Sequence, residues 1–222
     1  MLYKRKKTVD TGVLFLSNIL VYHTDERDQI VLTAVNKQFN NHTILTGSTA
    51  DKIYLNGPIC NNDFDFLLTR EYFLQYFGLN SYEKEVHIGD FHFKIDTNNS
   101  FDECILYQGY FVKKDFAKVD LFLTDREYDL PIKIDRIKTT RYEDAIKHAQ
   151  LYKLSFNREL TYKVIHPVHR MKTLRNILQT NMIHSVDQWR VDWLKYKQRM
   201  SSAKLDQYYI KYKEYSIDDP KW

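Results

Sequence analysis

Cysteine is scarce: Cys60 and Cys104 are the only two in 222 residues. Two thiols make no disulfide framework, and no CxxC pair offers zinc spacing. The thiols are expected to be reduced, which fits a cytoplasmic protein. Glycine and proline are also sparse, at six and four, which leaves little room for long flexible linkers. There is no internal repeat and no low-complexity tract. No apolar run reaches the ~18 residues that a membrane span needs, so no membrane partner is expected. The nearest approach is Val13 to Tyr22, behind the basic Lys4 to Lys7. Ser17 and Asn18 interrupt it and no small-residue cleavage site follows, so it reads as a strand or buried segment rather than a secretory signal.

What the chain does have is a globular composition, 43% hydrophobic and 28% charged, enough for one large domain or two small ones. Charge is unevenly spread. Residues 1–130 carry 14 Lys and Arg against 19 Asp and Glu, a net of −5; residues 131–222 carry 19 against 10, a net of +9. An acidic part suits cation binding and a basic part suits holding a polyanion, although solvated helix surfaces also carry Lys and Arg.

The pattern of elements divides in the same way. Residues 24–40 read as a helix with an acidic first turn, and residues 43–46 as a short strand broken by Gly47-Ser48. A short helix over 49–55, a strand over 64–68 and a helix over 69–77 ended by Gly78 follow. Gly89-Asp90 between two apolar segments predicts a hairpin over 84–95. Further strands are expected at 104–112, 117–123 and 131–137. From 140 onward the period changes to helical, with candidates at 140–156, 167–181, 186–200 and 203–215. The expectation is an α+β chain: a mixed sheet flanked by helices over 1–138, then a basic, mostly helical region over 139–222.

One stretch, NDFDFLL, places Asp63 and Asp65 inside an apolar run. On a strand the two side chains point the same way while Phe64 and Phe66 point into the core. Two carboxylates about 6–7 Å apart on one face repel each other. A divalent cation such as Mg²⁺ or Mn²⁺ removes the conflict, since it takes carboxylate and phosphate oxygens. Asp120, in KVDLFL, interrupts a later apolar strand and is the natural third ligand. Three carboxylates around metal ions can support in-line phosphoryl chemistry. Upstream, the strand–Gly47-Ser48–helix turn offers backbone N–H groups and a helix N-terminus to a phosphate.

Together, LTGS (45–48), NDFDFLL (62–68) and KVDLFL (118–123) resemble the nucleotidyltransferase superfamily that includes DNA polymerase beta, the poly(A) polymerases and the CCA-adding enzymes. The resemblance implies a nucleotidyltransferase-like fold with Asp63, Asp65 and Asp120 as metal ligands and catalytic residues. It implies that Gly47 and Ser48 hold the triphosphate of an NTP, and that a lysine of the following region, Lys153, reaches it. CCA-adding enzymes carry a basic then an acidic residue in the helix after their Gly pair. Here Asp51 precedes Lys52, which argues against tRNA end repair.

The expected activity is metal-dependent transfer of an NMP from an NTP to an acceptor hydroxyl, releasing pyrophosphate, with RNA suggested as acceptor by the basic half. The other reading is a non-catalytic module on the same fold that binds nucleic acid or protein. His166 and His169 read as capping or solvated side chains rather than a metal pair. Asp125, Glu127 and Asp129 read as a charged loop, and Lys147 and Lys153 as members of one helix. Trp189, Trp193, Tyr196 and Met200 recur at helical spacing, and packing is favoured over base stacking for them.

Overall fold

The computed structural model describes residues 13–16, 19–22, 26–40, 42–55, 63–76, 78, 84–96, 104–111, 117–124, 128–132, 135–139, 142–154, 161–180 and 188–222. Twelve strands and six helices are formed among them. In chain order they are β1 (Val13–Leu16), β2 (Ile19–Tyr22), α1 (Glu26–Gln38), β3 (Ile44–Thr46), α2 (Gly47–Leu55), β4 (Asp63–Leu68), α3 (Arg70–Tyr76), β5 (Glu85–Ile88), β6 (Phe91–Ile95), β7 (Cys104–Phe111), β8 (Ala117–Thr124), β9 (Tyr128–Ile132), β10 (Asp135–Thr139), α4 (Tyr142–His148), β11 (Gln150–Leu154), β12 (Thr161–Val164), α5 (Pro167–Gln179) and α6 (Gln188–Lys211).

Ten strands form one mixed sheet in the order β1-β2-β11-β12-β3-β4-β8-β7-β6-β5, and β9 and β10 form a separate hairpin. The chain is therefore α+β, as the element pattern predicts. The period-two pattern of DFDFLL places β4 in the middle of the sheet. Phe64 and Phe66 are buried and Asp63 and Asp65 are only partly so. β4 pairs antiparallel with β3 and parallel with β8, whose Val119, Leu121 and Leu123 are fully buried. The Gly89-Asp90 hairpin forms as expected, with Gly89 at φ +55° in the first turn position.

Several boundaries differ from the sequence reading. Residues 140–156 do not form one helix: α4 ends at His148 and β11 begins at Gln150. Lys147 lies on α4, and Lys153 lies on β11, between Val21 and Thr161 in register. The reason is local periodicity, since Leu151 is exposed and Tyr152 buried, the alternation of a strand. β11 and β12 then enter the main sheet, so the chain beyond residue 139 is not all helical. The single strand expected at 131–137 is the β9–β10 hairpin; Asp129 lies on β9, while Asp125 and Glu127 lie outside the described residues.

The two helices expected at 186–200 and 203–215 are one. Ser201 is buried inside α6, and the helix runs 24 residues without interruption. Its inner face, with Leu194, Leu205 and Tyr208, closes on the core. Gln198 donates to the carbonyls of Ile177, Leu178 and Thr180, and so satisfies the C-terminal end of α5. At the other end of α5, His166 caps: its Nδ1 accepts from the Val168 amide at 3.2 Å, and its ring stacks on Trp222. His166 and His169 are both buried, so neither is solvated. Among the described residues, no helix is long and apolar enough to cross a membrane.

Candidate metal and phosphate site

Strand register builds the site. Asp65 stands opposite Asp120 across the β4–β8 pair, and Asp63 stands opposite Lys118. Directly paired residues share a sheet face, and so do residues two apart on a strand. Asp63, Asp65, Lys118 and Asp120 therefore make one square on one face. One oxygen from each of the three carboxylates lies within 4.8 Å of the others. The alignment expected of Asp63 and Asp65 is present, and Asp120 joins them as the sequence predicts.

Such a cluster is electrostatically unfavourable without a cation. Burial first, then the charges of Asp63 and Asp120, push the Asp65 carboxyl up to about 7. Burial likewise raises Asp120, against the opposing ion pair with Lys118. The Lys118 ammonium lies 2.9 Å from Asp120 Oδ2 and partly neutralises the group. Although burial opposes it, the bond to Asp120 raises the Lys118 pKa on balance. Asp120 Oδ1 is left buried without a hydrogen-bond partner. An orphaned carboxylate oxygen beside two more carboxylates is a hard, all-oxygen donor set, and it fits Mg²⁺ or Mn²⁺.

Gly47 opens α2 against this cluster. Its φ is +66°, and a Cβ there would fall inside the Asp65 carboxylate. Only glycine meets both demands. The turn is held in place from below: the Thr49 hydroxyl donates to the Asp63 carbonyl at 3.4 Å. Thr46, the last residue of β3, pairs with Asp65 in register. The helix N-terminus expected to meet phosphates thus sits directly beside the three carboxylates, with Ser48 half-buried in its first turn.

The same helix carries the two residues whose order departs from the CCA-adding pattern, and both are structural. Asp51 is completely buried. Arg170 of α5 grips it with two bonds of 2.7 and 2.8 Å, and Lys204 and Tyr208 of α6 donate at 2.8 and 2.9 Å. Lys52 pairs at 2.7 Å with Asp28, a buried residue of α1. These bonds clamp α2 between α1 on one side and α5 and α6 on the other, which fixes where Gly47 and Ser48 point.

Sequence reading missed several members of this neighbourhood. Lys118 was findable, because it lies two residues before Asp120 on the same strand and so on the same face. Arg170 and Lys197 left no such signal: each lies on a distant helix, yet the charges of both are felt at Asp65 and lower its pKa. Lys153 lies on β11, with β12 and β3 between it and β4; its side chain lies outside the described residues. No protein-family model matches the chain, and no curated protein matches its sequence.

Proposed function

We propose that this protein is a metal-dependent nucleotidyltransferase, with a head resembling the DNA polymerase beta and poly(A) polymerase superfamily. The observation that carries the reading is the convergence of Asp63, Asp65 and Asp120 within 4.8 Å, with a buried and unbonded Asp120 oxygen, beside the Gly47-Ser48 helix start. A carboxylate oxygen buried without a donor is one that a cation can satisfy.

Asp63, Asp65 and Asp120 would hold one or two Mg²⁺ or Mn²⁺ ions. Bound there, the metal would supply charge for the triphosphate and lower the pKa of the attacking hydroxyl. The backbone N–H groups at Gly47 and Ser48 bind phosphate oxygens, helped by the positive end of α2. Gly47 lets the Asp65 carboxylate lie directly against the backbone of this turn. Asp120, the third carboxylate of the cluster, takes the proton of the acceptor hydroxyl. The acceptor oxygen bonds to the α-phosphorus as the bond to pyrophosphate breaks. The basic charge of residues 131–222 favours an RNA 3′ end as the acceptor.

The test is a labelling assay. Purified protein is mixed with each α-labelled NTP, Mg²⁺ or Mn²⁺, and total RNA, beside Asp63→Ala/Asp65→Ala. Label passed to RNA by the wild type alone is the expected result. No transfer, together with no metal-dependent NTP binding by calorimetry, sinks the reading.

A further inference from the structure

The outer face of α6 contradicts the packing role expected for it. Trp189, Trp193, Tyr196 and Met200 are 65%, 38%, 51% and 40% exposed. They recur at intervals of four, three and four, so they lie along one line of the helix. The core is closed instead by Leu194, Leu205 and Tyr208, on another face. Large aromatics in a row at the surface of a rigid helix mark a binding face.

Cations accompany the rings. Lys197 Nζ lies 5.3 Å from the centre of the Trp193 ring, and Arg199 Cζ lies 5.8 Å from that of Tyr196. The alternation of flat apolar rings with cations matches unpaired bases joined by phosphates. It matches a lipid surface or a second protein copy less well, because nothing on the stripe is a branched aliphatic. The platform also lies on the helix that is bonded to α2 beside the carboxylate site, through the Tyr208 hydroxyl and Asp51. Two turns further along, Lys204 is bonded to Asp51 in the helix that starts at Gly47. The helix is held from behind by Lys204, Tyr208 and Gln198, so little ordering is needed when a strand binds.

We infer that the exposed face of α6 is a single-stranded RNA platform: bases stack on Trp193 and Tyr196, Lys197 and Arg199 neutralise the flanking phosphates, and the strand runs from there to the carboxylates. This rests on the nucleotidyltransferase reading and names the acceptor of that site. It predicts a preference for unpaired over duplex RNA, because paired bases hide the faces that the rings would cover.

The test is fluorescence anisotropy with a 12-nucleotide single-stranded RNA and its duplex, in EDTA, where no transfer occurs. The variants are Trp193→Ala/Tyr196→Ala and, separately, Lys197→Gln/Arg199→Gln. All four side chains are exposed, so circular dichroism should match the wild type. The aromatic pair is expected to lose at least about 30-fold in affinity for the single strand, as for two stacked bases. The basic pair should lose affinity and flatten the salt dependence. Equal binding by the aromatic variant overturns the proposal. So does a face that mediates self-association in sedimentation, or that pulls the protein onto anionic vesicles, while RNA affinity is unchanged. Failure of the enzyme reading looks different: RNA would still bind through the rings, but no label would be transferred when Mg²⁺ and NTP are supplied.

Discussion

Two aspartates at the two ends of one short region of structure are in opposite states. Asp51 and Asp65 are linked through α2, which carries the first and touches the second. Burial alone would raise the Asp51 carboxyl, but Arg170 foremost, and then Lys204, hold it below the usual carboxylate range. Burial, then the charges of Asp63 and Asp120, drive Asp65 up to about 7, against the weaker opposing charges of Arg170 and Lys197. The difference lies in what the fold supplies: one carboxylate receives cations and a phenol, and the other receives two more carboxylates. A buried charge with its partners built in is scaffolding. Three clustered carboxylates with one lysine among them keep a net negative charge, which a divalent cation could neutralise.

The largest effect should come from the satisfied site. Asp51→Ala strands Arg170 and Lys204 without their partner, and loss of roughly 3–5 kcal/mol of stability is expected from urea denaturation. Asp65→Asn should do the reverse, removing a repulsion and leaving the fold at least as stable in EDTA, while the proposed nucleotidyl transfer is abolished. If Asp51→Ala is tolerated and Asp65→Asn unfolds the protein, the comparison is broken.

Acidity should separate the two sites next. Asp65 binds its proton more tightly in the folded state, so its contribution is complete below its ordinary value of 3.8 and is lost as pH rises through about 7. Asp51 behaves oppositely: its contribution is present above the ordinary carboxylate value and is lost as pH falls below it. Thermal melts in EDTA should therefore weaken between about pH 4 and 8 through Asp65. That slope should shrink in Asp65→Asn, where Asp120 still carries a raised pKa, and on adding Mn²⁺, which would bind the ionised cluster. Equal slopes for the wild type and Asp65→Asn between those limits, in EDTA, would mean that the carboxylates do not repel as described.

The smallest effect concerns Lys118, the one cation already within the square. Lys118→Met removes an ammonium that a divalent ion must tolerate. Divalent cation affinity by calorimetry is expected to rise by about tenfold, with a modest loss of metal-free stability. Unchanged affinity would mean that Lys118 serves Asp120 only as an ordinary ion-pair partner.

How much of this was readable varies with distance along the chain. The alternation in DFDFLL implies that Asp63 and Asp65 share a face, because a strand has a period of two whatever surrounds it. The Gly47-Ser48 turn and the Gly89-Asp90 hairpin were equally local, as glycine is the residue that takes positive φ without penalty. Asp120 was visible as a charge in an otherwise apolar strand. Lys118 obeyed the same rule and could have been read from its spacing.

What the sequence determined by itself is therefore short-range: the strand faces, the turns, and three carboxylates that an apolar run would not carry without cause. Tertiary structure alone decided the rest. The Asp51–Arg170 clamp joins residues 119 apart, and no periodicity encodes such a pairing. The placement of β11 and β12 in the sheet depends on which edge remained for β3 and β2 to pair with. The exposure of Trp193 and Tyr196 depends on which face of α6 found a partner. A helical stripe states only that residues lie on one side; the surface that packs against the helix decides whether that side is core or binding face.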